Sequence, residues 1–150
     1  NNIYGMTGGQ SSPTTPTGKS TTTAPYGTVD RVLDACRIAE AAGATYVARS
    51  TAFHVKHLAQ MIAGGLQNHG FSLIEAIVQC PTAYGRRNKM GSPAQMLAWM
   101  RDAAVMKNAW DKLPPENRTP EKFPIGLLYE CAGEEYGMAN AEIQRRAGGL

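Results

Sequence analysis

Thr45-Tyr46-Val47-Ala48-Arg49 and Phe71-Ser72-Leu73-Ile74-Glu75-Ala76-Ile77-Val78 are the two stretches on which the fold turns. The first is short, β-branched and aromatic, and the second is the strongest strand candidate in the chain. Between them Phe53, Leu58, Met61, Ile62 and Leu66 fall at helical spacing, with Ser50 or Thr51 as the cap and Asn68-His69-Gly70 as the stop. Strand, helix, strand in that order is the unit of a parallel sheet. Working outward towards the N-terminus, Val29, Val32, Leu33, Cys36 and Ala39 or Glu40 predict a further helix that Thr28 with Asp30 starts and Ala42 ends, before Gly43. Towards the C-terminus, Ser92-Pro93-Ala94-Gln95 supplies an N-cap, Pro at N1 and Gln at N3, which opens a helix through about Trp110. Leu113-Pro114-Pro115 ends that helix, Phe123 to Glu130 is a final strand, and Ala139 to Ala147 read as helix within the tail. The expected fold class is α/β, a mostly parallel sheet with helices on both faces.

The chain has 150 residues, 43% of them hydrophobic and 18% charged, with 15 Lys+Arg against 12 Asp+Glu for a net charge of +3. That composition excludes a disordered tail and fits one domain, long enough to bury roughly 68–70% of the unfolded surface without disulfide staples. Three cysteines, Cys36, Cys80 and Cys131, cannot pair evenly and are too widely spaced for a local zinc motif, so a reducing, cytoplasmic setting is expected. No apolar run approaches the ~18 residues of a spanning helix, no charged leader precedes an apolar segment, and a surplus of three positive charges argues against nucleic acid as a partner. Residues 1–27 form a separate compositional zone, rich in Gly, Ser, Thr and Pro after Met6, with Lys19 its only charge. The α/β core is expected over 28–130, followed by a tail over 131–150. Because Asn1 stands in place of a starting Met and falls directly in a motif-like run, the chain is read as a fragment.

Several motifs bear on chemistry. Gly18-Lys19-Ser20 suggests a phosphate loop, but Pro13 stands where the pattern requires Gly, so a polar surface loop is expected. The opening run Asn1-Asn2-Ile3-Tyr4-Gly5-Met6-Thr7-Gly8-Gly9-Gln10 is chemically coherent. An Asn side-chain oxygen and a nearby backbone carbonyl are hard donors suited to Mg²⁺, which completes its shell with phosphate oxygens and water. Gly5, Gly8 and Gly9 would let the backbone approach a diphosphate, with Thr7 and Gln10 as donors. His54 and His57 lie three apart on one helix without a third ligand, and are expected to be one packed and one exposed side chain. Arg86, Arg87 and Lys89 suit either phosphate or carboxylate recognition or a solvated loop. Met96, Leu97, Met100, Trp99 and Trp110 follow helical spacing and read as core or interface.

The run Asn1-x-Ile3-Tyr4-Gly5-Met6-Thr7-Gly8-Gly9-Gln10, with Ser12-Pro13-Thr14-Thr15 after it, resembles the thiamine diphosphate segment in the β subunit of 2-oxoacid:ferredoxin oxidoreductases. Cys80-Pro81-Thr82-Ala83-Tyr84-Gly85-Arg86-Arg87-Asn88-Lys89-Met90-Gly91-Ser92 resembles the same subunit in the 2-oxoglutarate type, and Phe123-Pro124-Ile125-Gly126 its last strand. The resemblance covers nearly the whole chain and implies the C-terminal part of one thiamine-diphosphate-binding domain. It implies that Asn1 is the side-chain ligand of Mg²⁺ and that Ile3 offers a backbone carbonyl to the same ion. Gly5, Met6 and Thr7 match positions that line the diphosphate and thiazolium. Cys80 matches the fourth cysteine of a [4Fe-4S] cluster, while Cys36 reads as core. The implied reaction is oxidative decarboxylation of a 2-oxoacid, 2-oxoglutarate first and pyruvate or a branched-chain acid as alternatives, with coenzyme A giving acyl-CoA, CO₂ and reduced ferredoxin. The implied partner is an α subunit that brings the carboxylate acting on the cofactor's pyrimidine. A reading of another class is a non-catalytic anion-binding module, with the Gly/Thr-rich loop as its anion site.

Overall fold

A computed structural model of the chain describes residues 1–148. Its centre is β1 (Tyr46–Thr51), every residue of which is buried. Successive side chains of a strand point to opposite faces, and here the two sets find different helices. Val47 packs with Cys36 and Ala39 of α1 (Ala35–Ala41), and Arg49 reaches back to Asp34 at that helix's start. On the other face the Tyr46 hydroxyl donates to the Met61 carbonyl of α2 (Val55–Gln67), and Ser50 Oγ meets His57 Nδ1 of the same helix at 2.9 Å. The sheet is therefore covered on both sides, as the sequence pattern requires.

β2 (Ser72–Ile77) pairs in parallel with β1, Tyr46 opposite Ser72 through Thr51 opposite Ile77. β3 (Ala104–Met106) and β4 (Phe123–Glu130) complete a four-stranded sheet in the order β2-β1-β4-β3. Two of its pairings are parallel and the central one, β1 with β4, is antiparallel. The helix expected to reach Trp110 is also broken. The capping box at Ser92 and Gln95 opens α3 as expected, but α3 (Pro93–Ala103) ends at Ala104, which turns extended. Ala103-Ala104-Val105-Met106 is a continuous apolar run around a β-branched residue, and Ala104 to Met106 take ladder bonds from Phe123 to Ile125 instead of continuing the helix. β4 pairs in parallel with β3 and antiparallel with β1. α4 (Lys107–Trp110) is all that remains of the expected extension.

Two other expectations shift. The helix expected from Thr28 begins only at Ala35, where Asp34 is the N-cap and its carboxylate accepts from the backbone N–H of Cys36 and Arg37. Residues before it are tied elsewhere, with Thr28 N–H donating to Lys19 and Leu33 N–H donating to the Pro13 carbonyl. Val29, Val32 and Leu33 consequently face outwards. Gln79 to Gly91, whose Pro, two Gly and cluster of Arg and Lys predict a long loop, is also more ordered than that. Pro81–Gly85 forms a π-helical turn, with Gly85 N–H bonded to the Cys80 carbonyl at 2.8 Å and Met90 N–H to Gly85 at 2.9 Å, both five residues back. α5 (Tyr136–Gly148) holds the tail, somewhat longer than expected. Among the described residues no helix is long and apolar enough to cross a membrane.

Arg49 is the charged group at the middle of this sheet. Its side chain is 10% exposed, and it pairs with Asp34 at 2.8 Å and with Glu75 of β2, so one guanidinium ties α1 and two strands together. Removing one partner of a fully buried pair costs about 3–5 kcal/mol, and here the two carboxylates keep part of their hydration. Arg49→Ala is expected to lower stability by about 2 kcal/mol in chemical unfolding, whereas Arg101→Ala, whose pair with Asp102 lies on the surface, should leave it nearly unchanged.

Candidate functional site

The opening segment has little regular structure, so its shape rests on turns and on one apolar anchor. Tyr4 and Gln10 form an isolated antiparallel bridge, with Tyr4 N–H donating to the Gln10 carbonyl at 3.1 Å and Gly9 N–H to Tyr4 at 2.8 Å. The chain reverses through Gly8 and Gly9, both in the left-handed region at φ of +123° and +83°, conformations that side-chain-bearing residues resist. The anchor is Ile3, which is 2% exposed and packs with Tyr84 and Met96, flanked by Cys80, Ala83 and Met90. Residues from the start of the chain are thereby laid against the π-helical turn and α3, some eighty positions later. A second tie is Asn88, whose Oδ1 accepts from Ser20 N–H at 2.9 Å while its Nδ2 donates to the Ser20 and Tyr84 carbonyls. Asn88 lies between charged neighbours, and nothing local marks this role. An amide with both ends used is legible only once its partner 68 residues away is known.

Of the residues singled out from sequence, Asn1, Ile3, Gly5 and Cys80 come together. A Cβ on Gly5 would lie 3.0 Å from Cys80 Sγ, 3.9 Å from the Asn1 amide nitrogen and 4.0 Å from Ile3 Cγ2. Asn1 and Cys80 also line one small apolar-walled cavity with Met90, Met96 and Trp99. Met6 and Thr7 stand at the tip of the turn, exposed. Thr7 Oγ1 donates to Gln10 Oε1 at 2.8 Å, and Gln10 Nε2 returns a bond to the Thr7 carbonyl. The two side chains proposed as donors thus hold the turn's shape. The Ile3 carbonyl already accepts from Gly5 N–H at 3.0 Å and keeps a second lone pair.

The three cysteines separate by environment. Burial pushes the Cys36 thiol up to about 12, with the Arg49 guanidinium opposing and the adjacent Glu75 adding to it. Burial also acts to raise Cys80, but the backbone N–H groups of Tyr84 and Ala83 and the Thr82 hydroxyl favour the thiolate, and the net shift is downwards. That polarity is what a metal-ligating sulfur requires. Cys131 is exposed beyond β4. Asp34, Cys36 and Glu75 are the one group of potential ligands that converges among the described residues, and Arg49 already occupies its centre. His54 and His57 are both half-buried and bond Thr51 and Ser50 respectively through Nδ1, so each is committed to the strand beside it. Arg86, Arg87 and Lys89 are exposed.

Residues 1–76 match the family model described as thiamine pyrophosphate enzyme, C-terminal TPP binding domain. The chain is similar to 2-oxoglutarate synthase subunit KorB of Methanothermobacter marburgensis, 51% identical over 143 residues that cover 92% of this chain and 50% of the relative. KorB of Methanocaldococcus jannaschii is 53% identical over 136 residues, covering 91% and 50%. Among solved structures, the 2-oxoglutarate:ferredoxin oxidoreductase of Magnetococcus marinus, with 2-oxoglutarate, coenzyme A and succinyl-CoA bound, superposes with a TM-score of 0.74. That likeness is at 28% identity and covers 99% of this chain and 50% of that one. The chain spans about half the length of the curated relatives it matches.

The contrast between the thiols is directly measurable. In metal-free protein, iodoacetamide is expected to modify Cys80 with a half-point below that of an unperturbed thiol, because its lowered pKa keeps thiolate present at lower pH. Cys36 should stay unmodified at neutral pH, as peptide mass mapping would show.

Proposed function

The chain belongs to the thiamine pyrophosphate enzyme family, and on that premise we propose that it forms the metal- and diphosphate-binding part of a 2-oxoacid:ferredoxin oxidoreductase subunit acting on 2-oxoglutarate. The observation that carries the reading is the Ile3 anchor, which holds Asn1 to Gly5 against Cys80. A cofactor loop and a cluster-ligating sulfur must be neighbours in an enzyme that passes electrons from one to the other, and in a plain anion-binding module they need not be.

The residues present fit the groups proposed. Asn1 offers an amide oxygen and Ile3 a carbonyl, two uncharged hard donors suited to an ion that takes one or two carboxylates and completes its shell with phosphate and water. Gly5, Met6 and Thr7 follow directly, at the turn that would receive the diphosphate and the thiazolium. Thiamine diphosphate, when bound, supplies the carbon nucleophile and electron sink for decarboxylating a 2-oxoacid. The protein's own work is to hold the metal donors rigid through Ile3, keep the turn open through Gly8 and Gly9, and present Cys80 as a thiolate to a [4Fe-4S] cluster. The cluster's other ligands and the metal's acidic ligand come from residues beyond these. Residues 1–27 are the cofactor segment, 28–130 the α/β core and 131–150 a tail, all one part of a single domain. The partners in this reading are an α subunit, coenzyme A, the 2-oxoacid and ferredoxin, and the products are acyl-CoA, CO₂ and reduced ferredoxin.

In the complete enzyme Asn1→Ala is expected to weaken Mg²⁺-dependent thiamine diphosphate binding by at least the roughly 10–100-fold that loss of an outer-shell partner costs, read by calorimetric titration. Unchanged affinity would remove Asn1 from the site. Cys80→Ser should bleach the visible absorption of the cluster and reduce iron content, and a full spectrum would return that sulfur to a packing role.

A further inference from the structure

The two stretches that Ile3 and Asn88 bind together share one property: neither contains a carboxylate side chain. Residues 1–29 and 76–101 carry five of the chain's 15 Lys and Arg and none of its 12 Asp and Glu, which leaves 10 cations against 12 anions everywhere else. The whole surplus of positive charge therefore sits at the end of the molecule that holds the opening turn. We infer that Arg86, Arg87 and Lys89 form the docking surface for the protein that accepts the electrons of the proposed reaction, and that this acceptor meets them with a carboxylate-rich face. The inference rests on that reaction and names the place where its protein acceptor binds.

Three observations set these cations apart. Arg86, Arg87 and Lys89 are exposed directly after the Pro81–Gly85 turn, and among the described residues none of them makes an ion pair. Elsewhere cations are paired: Arg37 and Arg49 with Asp34, Arg101 with Asp102, Lys107 with Asp111, Arg145 and Arg146 with Glu142. Lys89 also stands at φ of +53°, a region that long side chains resist, and Met90 N–H bonded to the Gly85 carbonyl at 2.9 Å holds the turn in that shape. Glycine would occupy position 89 at lower cost, so the backbone does not account for a lysine there. The Asn88 amide, clamped on the Ser20 N–H and carbonyl, fixes the turn from its other side and brings the backbone of Lys19 next to it. Glu121 is the carboxylate on which the Lys19 charge acts. A turn held in this way has little freedom left to lose when a partner binds.

Shape and traffic favour a protein over a small phosphate-bearing ligand. Small ligands take concave sites, and neither the small cavity beside Asn1 nor the cleft beside Arg49 has any of these three side chains in its wall. Oxidative decarboxylation of R–CO–COO⁻ with coenzyme A gives acyl-CoA, CO₂, a proton and two electrons. A one-electron protein carrier must then dock, leave and be replaced within each turnover, every visit removing one electron. Exposed charge suits that exchange, since it raises the rate of encounter by roughly 10–10³-fold and, being screened by salt, does not hold the partner afterwards.

The test is the double variant Arg86→Glu with Arg87→Glu in the complete enzyme, with ferredoxin, methyl viologen and coenzyme A varied in turn. At about 0.01 M ionic strength the KM for ferredoxin is expected to rise about tenfold or more, the low end of what steering supplies, while kcat and the KM for coenzyme A stay within about twofold and turnover with methyl viologen does not fall. Raising the ionic strength to about 0.1 M, which shortens the Debye length from about 30 to about 10 Å, should raise the wild-type KM for ferredoxin steeply and that of the variant little. Arg87→Lys keeps the charge and should behave as wild type. An unchanged KM for ferredoxin in the double variant, or a wild-type KM indifferent to salt, would overturn the inference. So would a raised KM for coenzyme A or loss of the α subunit from the complex, either of which gives this face to another partner. Wild-type enzyme that forms no acyl-CoA from 2-oxoglutarate with either acceptor would instead sink the proposed reaction itself, which keeps the two failures distinct.

Discussion

Burial of one aliphatic side chain, Ile3, is the interaction on which the functional end of this molecule depends. Fully burying a side chain of this size is worth about 1.5–3 kcal/mol, and the first ten residues have little else: an isolated bridge, two glycine-dependent reversals and a Thr7–Gln10 clasp. Without the pocket made by Tyr84 and Met96 the segment would have the composition and hydrogen bonding of a surface loop. With it, the Asn1 amide and the Ile3 carbonyl acquire fixed positions, and Gly5 acquires a neighbour. Tyr84 contributes as a neutral group, since burial pushes its phenol up to about 12 with only the Asn2 side chain working against the shift.

A second constraint acts at the sheet. β1 is apolar on neither face alone, carrying Arg49 among Val47, Ala48 and Ser50 in a fully buried strand. The charge is tolerated because Asp34 and Glu75 meet it from a helix cap and from the neighbouring strand. Asp34 does two things at once, capping α1 and neutralising β1. That double duty explains why the helix begins at Ala35 and not at the earlier Thr28, which offers a capping hydroxyl but no charge for Arg49.

Much of the architecture could be read from periodicity and caps. Both strands around α2, the capping box at Ser92 and Gln95, and the last strand at Phe123 to Glu130 all depend on residues close in sequence. What could not be read depends on partners far away. The end of α3 at Ala103 is decided by β4, which offers Ala104 to Met106 a ladder, and helical spacing of the tryptophans carries no sign of it. The antiparallel β1–β4 pairing likewise joins residues some eighty positions apart. The site divides in the same way: donor types at Asn1 and Ile3 are visible in the motif, and the family resemblance marks Cys80. The contact between Gly5 and Cys80, and the role of Asn88, exist only in three dimensions.

Asn88 and Ile3 join the opening segment to residues roughly 70–80 positions later, and this has a consequence for how the molecule forms. The entropy of closing a loop grows only as the logarithm of its length, about 0.6 kcal/mol for each doubling, so the long separation costs little in stability. It weighs on time instead, because contacts of large sequence separation have to wait for their partners to exist. The partner surface here is itself composite, built from the π-helical turn and the first turns of α3. The contacts of β1, α2 and β2 are closer in sequence than those of the opening segment, which can take its shape only once the Cys80–Met100 region is in place. Until it does, Tyr84 and Met96 lack the side chain that covers them, and Cys80 lacks Gly5 as its neighbour.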